Sequence, residues 1–247
     1  MSNNLLDIQA NYFKIETFGA VDGPGVRLIV FLQGCSLRCL YCHNPESWKT
    51  SNVNKISVGE VIDLYQKNKA FYKNGGITLS GGEPLLQLAF VYALAKMCQL
   101  QKIHLVLDTS AANFNNINKS QYLKIIKCHP LWLIDIKHIT EQGHKYITGS
   151  EQLNELALIK LLEGEKQNYW IRQVLVPGLT DKPKDLVRLG RFLKGLKYCQ
   201  RFELLPYHKL GVNKYKQLEI KYPLLKTKLP TNHDLSLAKM HINKGLK

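Results

Sequence analysis

Six short apolar runs alternate with five amphipathic stretches along this chain, and that rhythm restricts it to one class of fold. The runs are VRLIVFLQ (26–33), GITLS (76–80), HLVLDT (104–109), LWLIDIK (131–137), YWIRQVLV (169–176) and RFELLPY (201–207). They are dense in aliphatic and β-branched residues and read as strands covered on both faces, as parallel strands are. Between them lie VGEVIDLYQKNKAF, LLQLAFVYALAKMCQ, INKSQYLKIIKC, SEQLNELALIKLLEG and PKDLVRLGRFLKGLK, with apolar residues three and four apart. Leu186, Leu189, Leu193 and Leu196, for example, fall on one helical stripe. Such alternation predicts parallel βα units with right-handed crossovers, in an open doubly wound sheet or a barrel. The stretch from Lys209 onward, with a last helix near His233 to Asn243, is expected to cover one end of the sheet.

In folds of this kind the chemistry sits in loops at the C-terminal ends of the strands. The unusual residues of this chain fall there. Cys35 follows the first strand, Gly81 to Pro84 the second and Asp108 the third; Asp135 and Lys137 end the fourth, Pro177 and Gly178 follow the fifth, and His208 follows the sixth. At 247 residues, without an internal linker or repeat, the sequence predicts one domain over 1–247 with short terminal extensions. No apolar run approaches the ~20 residues needed to cross a bilayer. The opening MSNNLLDIQA shows no basic segment followed by an apolar one, which predicts a cytoplasmic protein with reduced thiols.

Cys35, Cys39 and Cys42 are spaced C-x3-C-x2-C. Three thiolates this close can hold one iron–sulfur cluster while leaving one iron without a protein ligand, and an open metal position marks chemistry rather than structure. A zinc knuckle would need a fourth ligand at short spacing, and His43, adjacent to Cys42, is poorly placed to supply it. A ferredoxin-type electron carrier would bring a fourth cysteine. Cys98, Cys128 and Cys199 stand singly in apolar surroundings and read as small buried hydrophobes. The formal charge of +15, from 34 Lys and Arg against 19 Asp and Glu, is spread along the chain and reads as a solvated basic surface rather than a nucleic-acid site. A non-catalytic iron–sulfur or zinc protein binding nucleic acid is the alternative from outside the enzymes.

CSLRCLYC, with an aromatic just before its third cysteine, followed by Gly81-Gly82-Glu83-Pro84 after the next strand, resembles the radical S-adenosylmethionine superfamily. GAVDGPGVR, FLQGC, RCLYCHNP, LSGGEP, LDT, DIK, WIRQVLVPG and ELLPYHKLG follow in the order found in the branch that activates pyruvate formate-lyase, over nearly the whole chain. The resemblance implies a partial (β/α)6 TIM-like barrel of parallel strands with outer helices. It implies a 4Fe-4S cluster held by Cys35, Cys39 and Cys42, with S-adenosylmethionine chelating the open iron. Tyr41, Cys42, His43, Gly81, Gly82, Glu83, Asp135, Ile136, Lys137 and His208 would bind that cofactor, with Lys137 and the three cysteines as the catalytic set. Asp108, Thr109 and Asp135 would hold a monovalent cation, and Asp22, Gly23 and Arg172 would meet a substrate peptide. In one place the chain departs from the branch, which usually continues LDT with Asn-Gly; here Ser110 and Ala111 follow, which bears on the local backbone and the cation ligands.

No cysteine lies between Cys42 and Ile77, where several activases of this kind insert a ferredoxin-like module of about eight cysteines. That favours the pyruvate formate-lyase type, acting as a monomer on pyruvate formate-lyase and reduced by a flavodoxin or ferredoxin, without nucleic acid or membrane. The implied reaction is hydrogen abstraction from a glycine Cα of that partner, within anaerobic glucose metabolism. A radical S-adenosylmethionine enzyme acting on a small molecule, or on another glycyl radical enzyme, is the alternative within the enzymes.

Overall fold

A computed structural model describes residues 3–50, 54–151 and 153–247, and the chain divides into two compact units. The first comprises residues 1–36 and 46–133, and the second residues 37–45 and 134–247. In the first unit the strands β1 (Gln9–Gly19), β2 (Arg27–Leu32), β3 (Asn54–Ser57), β4 (Gly76–Gly81) and β5 (Leu105–Thr109) lie in the order β3-β1-β2-β4-β5. Helices α1 (Asn3–Leu6), α2 (Val58–Lys67), α3 (Leu88–Gln101) and α4 (Lys119–Ile126) accompany them. β2, β4 and β5 are parallel, with Arg27 opposite Gly76 and Ile77 opposite Leu105. Leu28, Val30, Ile77, Leu79, Val106 and Leu107 on these strands are fully buried. Among helices of this unit, α2 begins at a capping box in which Ser57 and Glu60 satisfy each other's backbone amides.

β6 (Leu131–Asp135) carries the chain from the first unit into the second. The second continues with α5 (Glu141–Thr148), α6 (Asn154–Gly164), β7 (Tyr169–Leu175), α7 (Pro183–Lys194), β8 (Cys199–Pro206), α8 (Val212–Gln217) and α9 (Asn232–Leu246). β7 pairs in parallel with β8. Leu186, Leu189 and Leu193 form the buried stripe of α7, whereas Leu196 lies past its end, after Lys194.

All six expected strands are present, and two more are not anticipated. β1 and β3 pair antiparallel, β1 with both β2 and β3. Shifts of register after Tyr12 and after Glu16 break the two-residue alternation that would have announced β1 in the sequence. β8 also corrects the expectation of strands buried on both faces, since Gln200, Arg201 and Pro206 are exposed. Cys98 is buried, and burial lifts its thiol to about 12, but Cys128 and Cys199 are only half-buried. α6 starts at Asn154, later than the expected helix from Ser150, with Gln152 outside the described residues. The last helix is longer than expected, because Thr231 and Asp234 form a capping box ahead of it. α5 and α8 were not anticipated from the sequence. Among the described residues no helix is long and apolar enough to cross a membrane.

A buried carboxyl in the second unit sets one pH dependence. His144 Nδ1 lies 2.9 Å from the Ser150 carbonyl, which can only accept, so that nitrogen carries the proton and Nε2 presents a lone pair. Glu155 Oε1 faces that lone pair at 3.5 Å and is itself 1% exposed, so a proton on Glu155 is what the geometry accommodates. Burial accordingly raises the Glu155 carboxyl to about 8. Below about pH 4.5 folded and unfolded chains both hold this proton; between there and about pH 8 only the folded one does. Stability should therefore fall as pH rises, by up to about 1.4 kcal/mol per unit. Glu155→Gln is expected to lack this decline, so that its urea midpoint gains on the wild type between about pH 5 and pH 8; parallel pH profiles would refute the buried proton.

Candidate functional site

In the first unit Cys35 stands in the loop after β2, and the Gly81–Pro84 turn is laid backbone to backbone against that loop. Gly82 N donates to Leu32 O at 3.0 Å, Glu83 N to Gly34 O at 2.8 Å, and Gly34 N to Ser47 O at 2.7 Å. A Cβ on Gly82 would stand 2.1 Å from Gly34 O, and one on Gly81, at φ +116°, 2.5 Å from Leu32 N and O. Glycine is required here because two chain segments touch, and the contact seats the segment bearing Cys35.

Glu83 is fully buried and is the hub of this loop. Its Oε1 accepts from Thr109 Oγ1 at 2.7 Å and Leu85 N at 3.0 Å; its Oε2 accepts from Ser110 Oγ at 2.7 Å and Ser110 N at 3.0 Å. Burial raises its carboxyl above the usual range against the opposing pull of these donors. With both oxygens filled, Glu83 ties the Gly-Gly turn to the loop after β5. Ser110, one of the two departures from the related pattern, supplies half of the bonds; nothing in its own sequence context announced that role. Ala111, the other, adopts the left-handed conformation at φ 54°, the region that glycine enters without strain, and its N donates to Thr109 Oγ1 at 2.8 Å. Ser110→Ala removes a charge-assisted bond to a buried carboxylate and is expected to cost about 2 kcal/mol in urea unfolding. An unmoved midpoint would remove Ser110 from this role.

Thr78 and Ser80, two apart on β4, share a face of the strand. Ser80 Oγ donates to Asp108 Oδ2 at 2.8 Å, and Thr78 Oγ1 donates to Asp22 O at 2.8 Å. Asp22 and Gly23 thus lie in the loop between β1 and β2, bonded to β4 near its N-terminal end, while Cys35, Gly81, Gly82, Glu83, Asp108 and Thr109 lie at or after the C-terminal ends of the strands.

In the second unit the segment carrying Cys39 and Cys42 is fastened to the end of α5. The last carbonyls of a helix lack intrahelical partners. Those of Ile147 and Thr148 accept from Leu40 N at 2.9 Å and Arg38 N at 2.8 Å. Cys42 N donates to Cys39 O at 3.0 Å, closing a tight turn with both thiols on it. Burial lifts the Cys39 thiol to about 11, opposed by the nearby Lys137 ammonium. Tyr41 is buried, with the Lys137 Nζ 6.0 Å from its ring centroid. Lys137 Nζ pairs with Asp135 Oδ2 at 2.8 Å, and Arg172 Nε with Asp135 Oδ1 at 3.3 Å. Burial opposes ionisation of Asp135, but Lys137 and Arg172 outweigh it and hold the carboxyl below its usual range. Burial also opposes the charge on Lys137, which Asp135 overcomes, holding its ammonium well above the usual value. Ile136 N donates to Arg172 O at 2.9 Å, joining β6 to β7 at this cluster.

His43 and His208 stack with ring centroids 3.8 Å apart, and His43 Nε2 donates to His208 O at 3.2 Å. Burial, then His208, lowers the His43 imidazole to about 4; burial lowers that of His208 as well. Both rings are therefore neutral near pH 7. Lys214 Nζ donates to Asn44 Oδ1 at 2.8 Å, a link from α8 that the sequence did not signal. Tyr41 Oη and His208 Nδ1 are among the described polar atoms of this unit that are buried without a hydrogen-bond partner.

Of the residues assigned from the sequence, the structure gathers Glu83 with Thr109 in one unit, and Asp135, Ile136, Lys137 and Arg172 in the other. It places Arg172 in the ionic cluster, 6% exposed. Among the described residues no three His, Cys, Asp or Glu side chains gather around a single metal-ion position.

The 4Fe-4S single cluster domain family matches residues 21–154. A protein of Streptococcus mutans named pyruvate formate-lyase-activating enzyme is 44% identical over 229 residues, covering 91% of this chain and 87% of that one. Its namesake in Staphylococcus epidermidis is 39% identical over 241 residues, covering 96% of each. A solved domain of the pyruvate-formate lyase-activating enzyme of Bacteroides vulgatus superposes with a TM-score of 0.56 at 26% identity, covering 70% of this chain and 96% of that one. Streptococcus suis SuiB bound to S-adenosylmethionine superposes at 0.64 and 15% identity, covering 85% of this chain and 44% of that one, which shows the fold. That fold is the α/β class of parallel strands and outer helices expected from the sequence. The protein is an enzyme of the radical S-adenosylmethionine class. Within that class, the chain belongs to the pyruvate formate-lyase-activating enzyme family.

Proposed function

We propose that this chain activates pyruvate formate-lyase by placing a radical on a glycine of that partner, using a 4Fe-4S cluster and S-adenosylmethionine. When bound, these two groups supply reductive cleavage of the sulfonium and the 5′-deoxyadenosyl radical that removes hydrogen from the glycine Cα. The observation that carries the reading is the Cys39–Cys42 turn pinned to α5 beside the Lys137–Asp135–Arg172 cluster, in a chain 44% identical to a protein named for this activity. The residues present fit such groups: thiols in a held turn suit iron, and two buried polar atoms without partners, Tyr41 Oη and His208 Nδ1, suit a polar ligand.

In this reading Cys35, Cys39 and Cys42 hold the cluster, and the protonated Cys39 thiol gives up its proton on ligation. Lys137, kept charged by Asp135, meets the carboxylate of S-adenosylmethionine. Tyr41, His43, Gly81, Gly82, Ile136 and the neutral His208 line its remaining surface, while Glu83 acts on it through the turn it fixes. Asp108, Thr109 and Asp135 hold a monovalent cation, and Asp22, Gly23 and Arg172 meet the partner's glycine segment. The whole chain serves as one core domain, a cytoplasmic monomer of anaerobic glucose metabolism reduced by a flavodoxin or ferredoxin.

The test is anaerobic mixing of the reduced, cluster-reconstituted protein with S-adenosylmethionine and pyruvate formate-lyase. A glycyl radical signal on the partner, with one 5′-deoxyadenosine formed per radical, is the expected result. 5′-Deoxyadenosine without any partner radical would reject the assignment of substrate.

A further inference from the structure

Arg27 is the first residue of β2, fully buried, and its guanidinium is surrounded by oxygens of which none is a carboxylate among its observed hydrogen bonds. Nε donates to Thr78 Oγ1 at 2.6 Å, Nη1 to Pro24 O at 2.8 Å, and Nη2 to Ile77 O at 2.7 Å and His104 O at 3.1 Å. Burial lowers its pKa to about 10, so it remains a cation. A buried cation is costly unless its donors are engaged, and here four of its five N–H groups are engaged, three by backbone carbonyls and one by the Thr78 hydroxyl. Two of the contacts reach the loop between β1 and β2. Pro24 O is held directly, and Asp22 O is held through Thr78, whose hydroxyl accepts from Arg27 and donates to Asp22. The other two reach the N-terminal ends of β4 and β5, so the loop is clamped to the rigid sheet. Beside it Val21 is 81% exposed, as a segment that must meet another molecule requires.

We propose that Arg27, acting through Thr78, is a positioning residue that holds the Asp22–Gly25 loop in the form that receives the partner's polypeptide. This rests on the reading of Asp22 and Gly23 as contacts for the partner's glycine segment. A merely structural Arg27 would join strand ends and leave recognition alone; a positioning Arg27 sets the carbonyls and peptide planes on either side of Gly23. Preformed loops bind at lower ordering cost, so loosening this one should weaken capture of the partner without touching cofactor chemistry.

Because Arg27 variants can fail to fold, the decisive pair is Thr78→Val and Thr78→Ser, which remove and retain the bridging hydroxyl. In the holoenzyme, Thr78→Val is expected to speed amide exchange over residues 21–25 and to raise the apparent KM for pyruvate formate-lyase, each by about tenfold, the factor one buried hydrogen bond carries. Partner-independent formation of 5′-deoxyadenosine should stay within about twofold, and Thr78→Ser should restore both changed quantities. Unchanged loop exchange in Thr78→Val overturns the inference, as does a loss of partner-independent cleavage equal to the loss of activation. If the wild type activates no partner, the functional reading fails and the exchange measurement alone decides whether the clamp holds the loop.

Discussion

Cys39→Ala is expected to bring the iron and sulfide content of the reconstituted protein close to zero and to reduce radical formation to the uncatalysed background. In the proposed function three thiolates serve four irons with no spare protein ligand, so loss of one removes the site rather than weakening it. Cys39 is also held in place by backbone bonds on every side. The amides on either side of it, Arg38 N and Leu40 N, are held by the final carbonyls of α5, and its own carbonyl accepts from Cys42 N. Since those bonds are made by backbone, alanine should keep the loop in place, and the metal-free variant should unfold within about 1 kcal/mol of the metal-free wild type. Cys128→Ala is the control, expected to retain full iron content because Cys128 is a half-buried thiol at the end of α4, bonded to Lys124 O at 3.6 Å. Iron and labile sulfide per chain, with the visible absorbance of the cluster, make the measurement. Full iron in Cys39→Ala would exclude Cys39 as a ligand. One zinc per chain and no sulfide in the wild type would sink the radical reading altogether.

Asp135→Asn is expected to destabilise the protein by about 3–5 kcal/mol, because it strands two cations that one carboxylate now compensates. The side chains of Lys137 and Asp135 are 14% and 22% exposed and that of Arg172 is 8% exposed, so water can replace little of the lost pairing. Against a total stability of about 5–15 kcal/mol the loss is large. Its pH dependence has a definite sign. Asp135 is held below its usual range, so its contribution is complete above the unfolded carboxyl value near 3.9 and is lost as pH falls below that through the folded value. Wild type and Asp135→Asn should therefore converge in acid and separate toward neutrality. Adding Lys137→Met to Asp135→Asn should cost much less than the two changes summed, since the second cation no longer has a partner to lose. Urea unfolding at about pH 3 and pH 7 decides it; a constant gap across that range would show that the carboxylate is not what holds the cations.

Apart from β8, whose Gln200, Arg201 and Pro206 are exposed, the parallel strands were legible because burial on both faces leaves a run of aliphatic residues. The two antiparallel strands were not, because β1 is partly exposed and its register slips, so no single period runs through QANYFKIETFG. The candidate site was legible as a set of residue types at strand ends, but not as a set of partnerships. Gly81 and Gly82, expected at the cofactor, also leave room for the backbone of Leu32 and Gly34, a partnership that no spacing announced. Glu83 looked like an open acceptor and is filled by donors from the loop after β5. Arg172 sits 37 residues from Asp135 in sequence and shares its carboxylate.

By itself the amino-acid order determined the alternating α/β architecture, the C-x3-C-x2-C spacing of Cys35, Cys39 and Cys42, and the residues that stand at the ends of the strands. These follow from periodicity and spacing, which are properties of neighbours along the chain. Only the tertiary structure decided which oxygens Arg27 clamps, which donors quench Glu83, which carboxyl keeps a proton beside His144, and which helix end pins the Cys39 loop. Those outcomes depend on groups distant in sequence brought within about 3 Å, where desolvation and hydrogen bonding set charge and conformation.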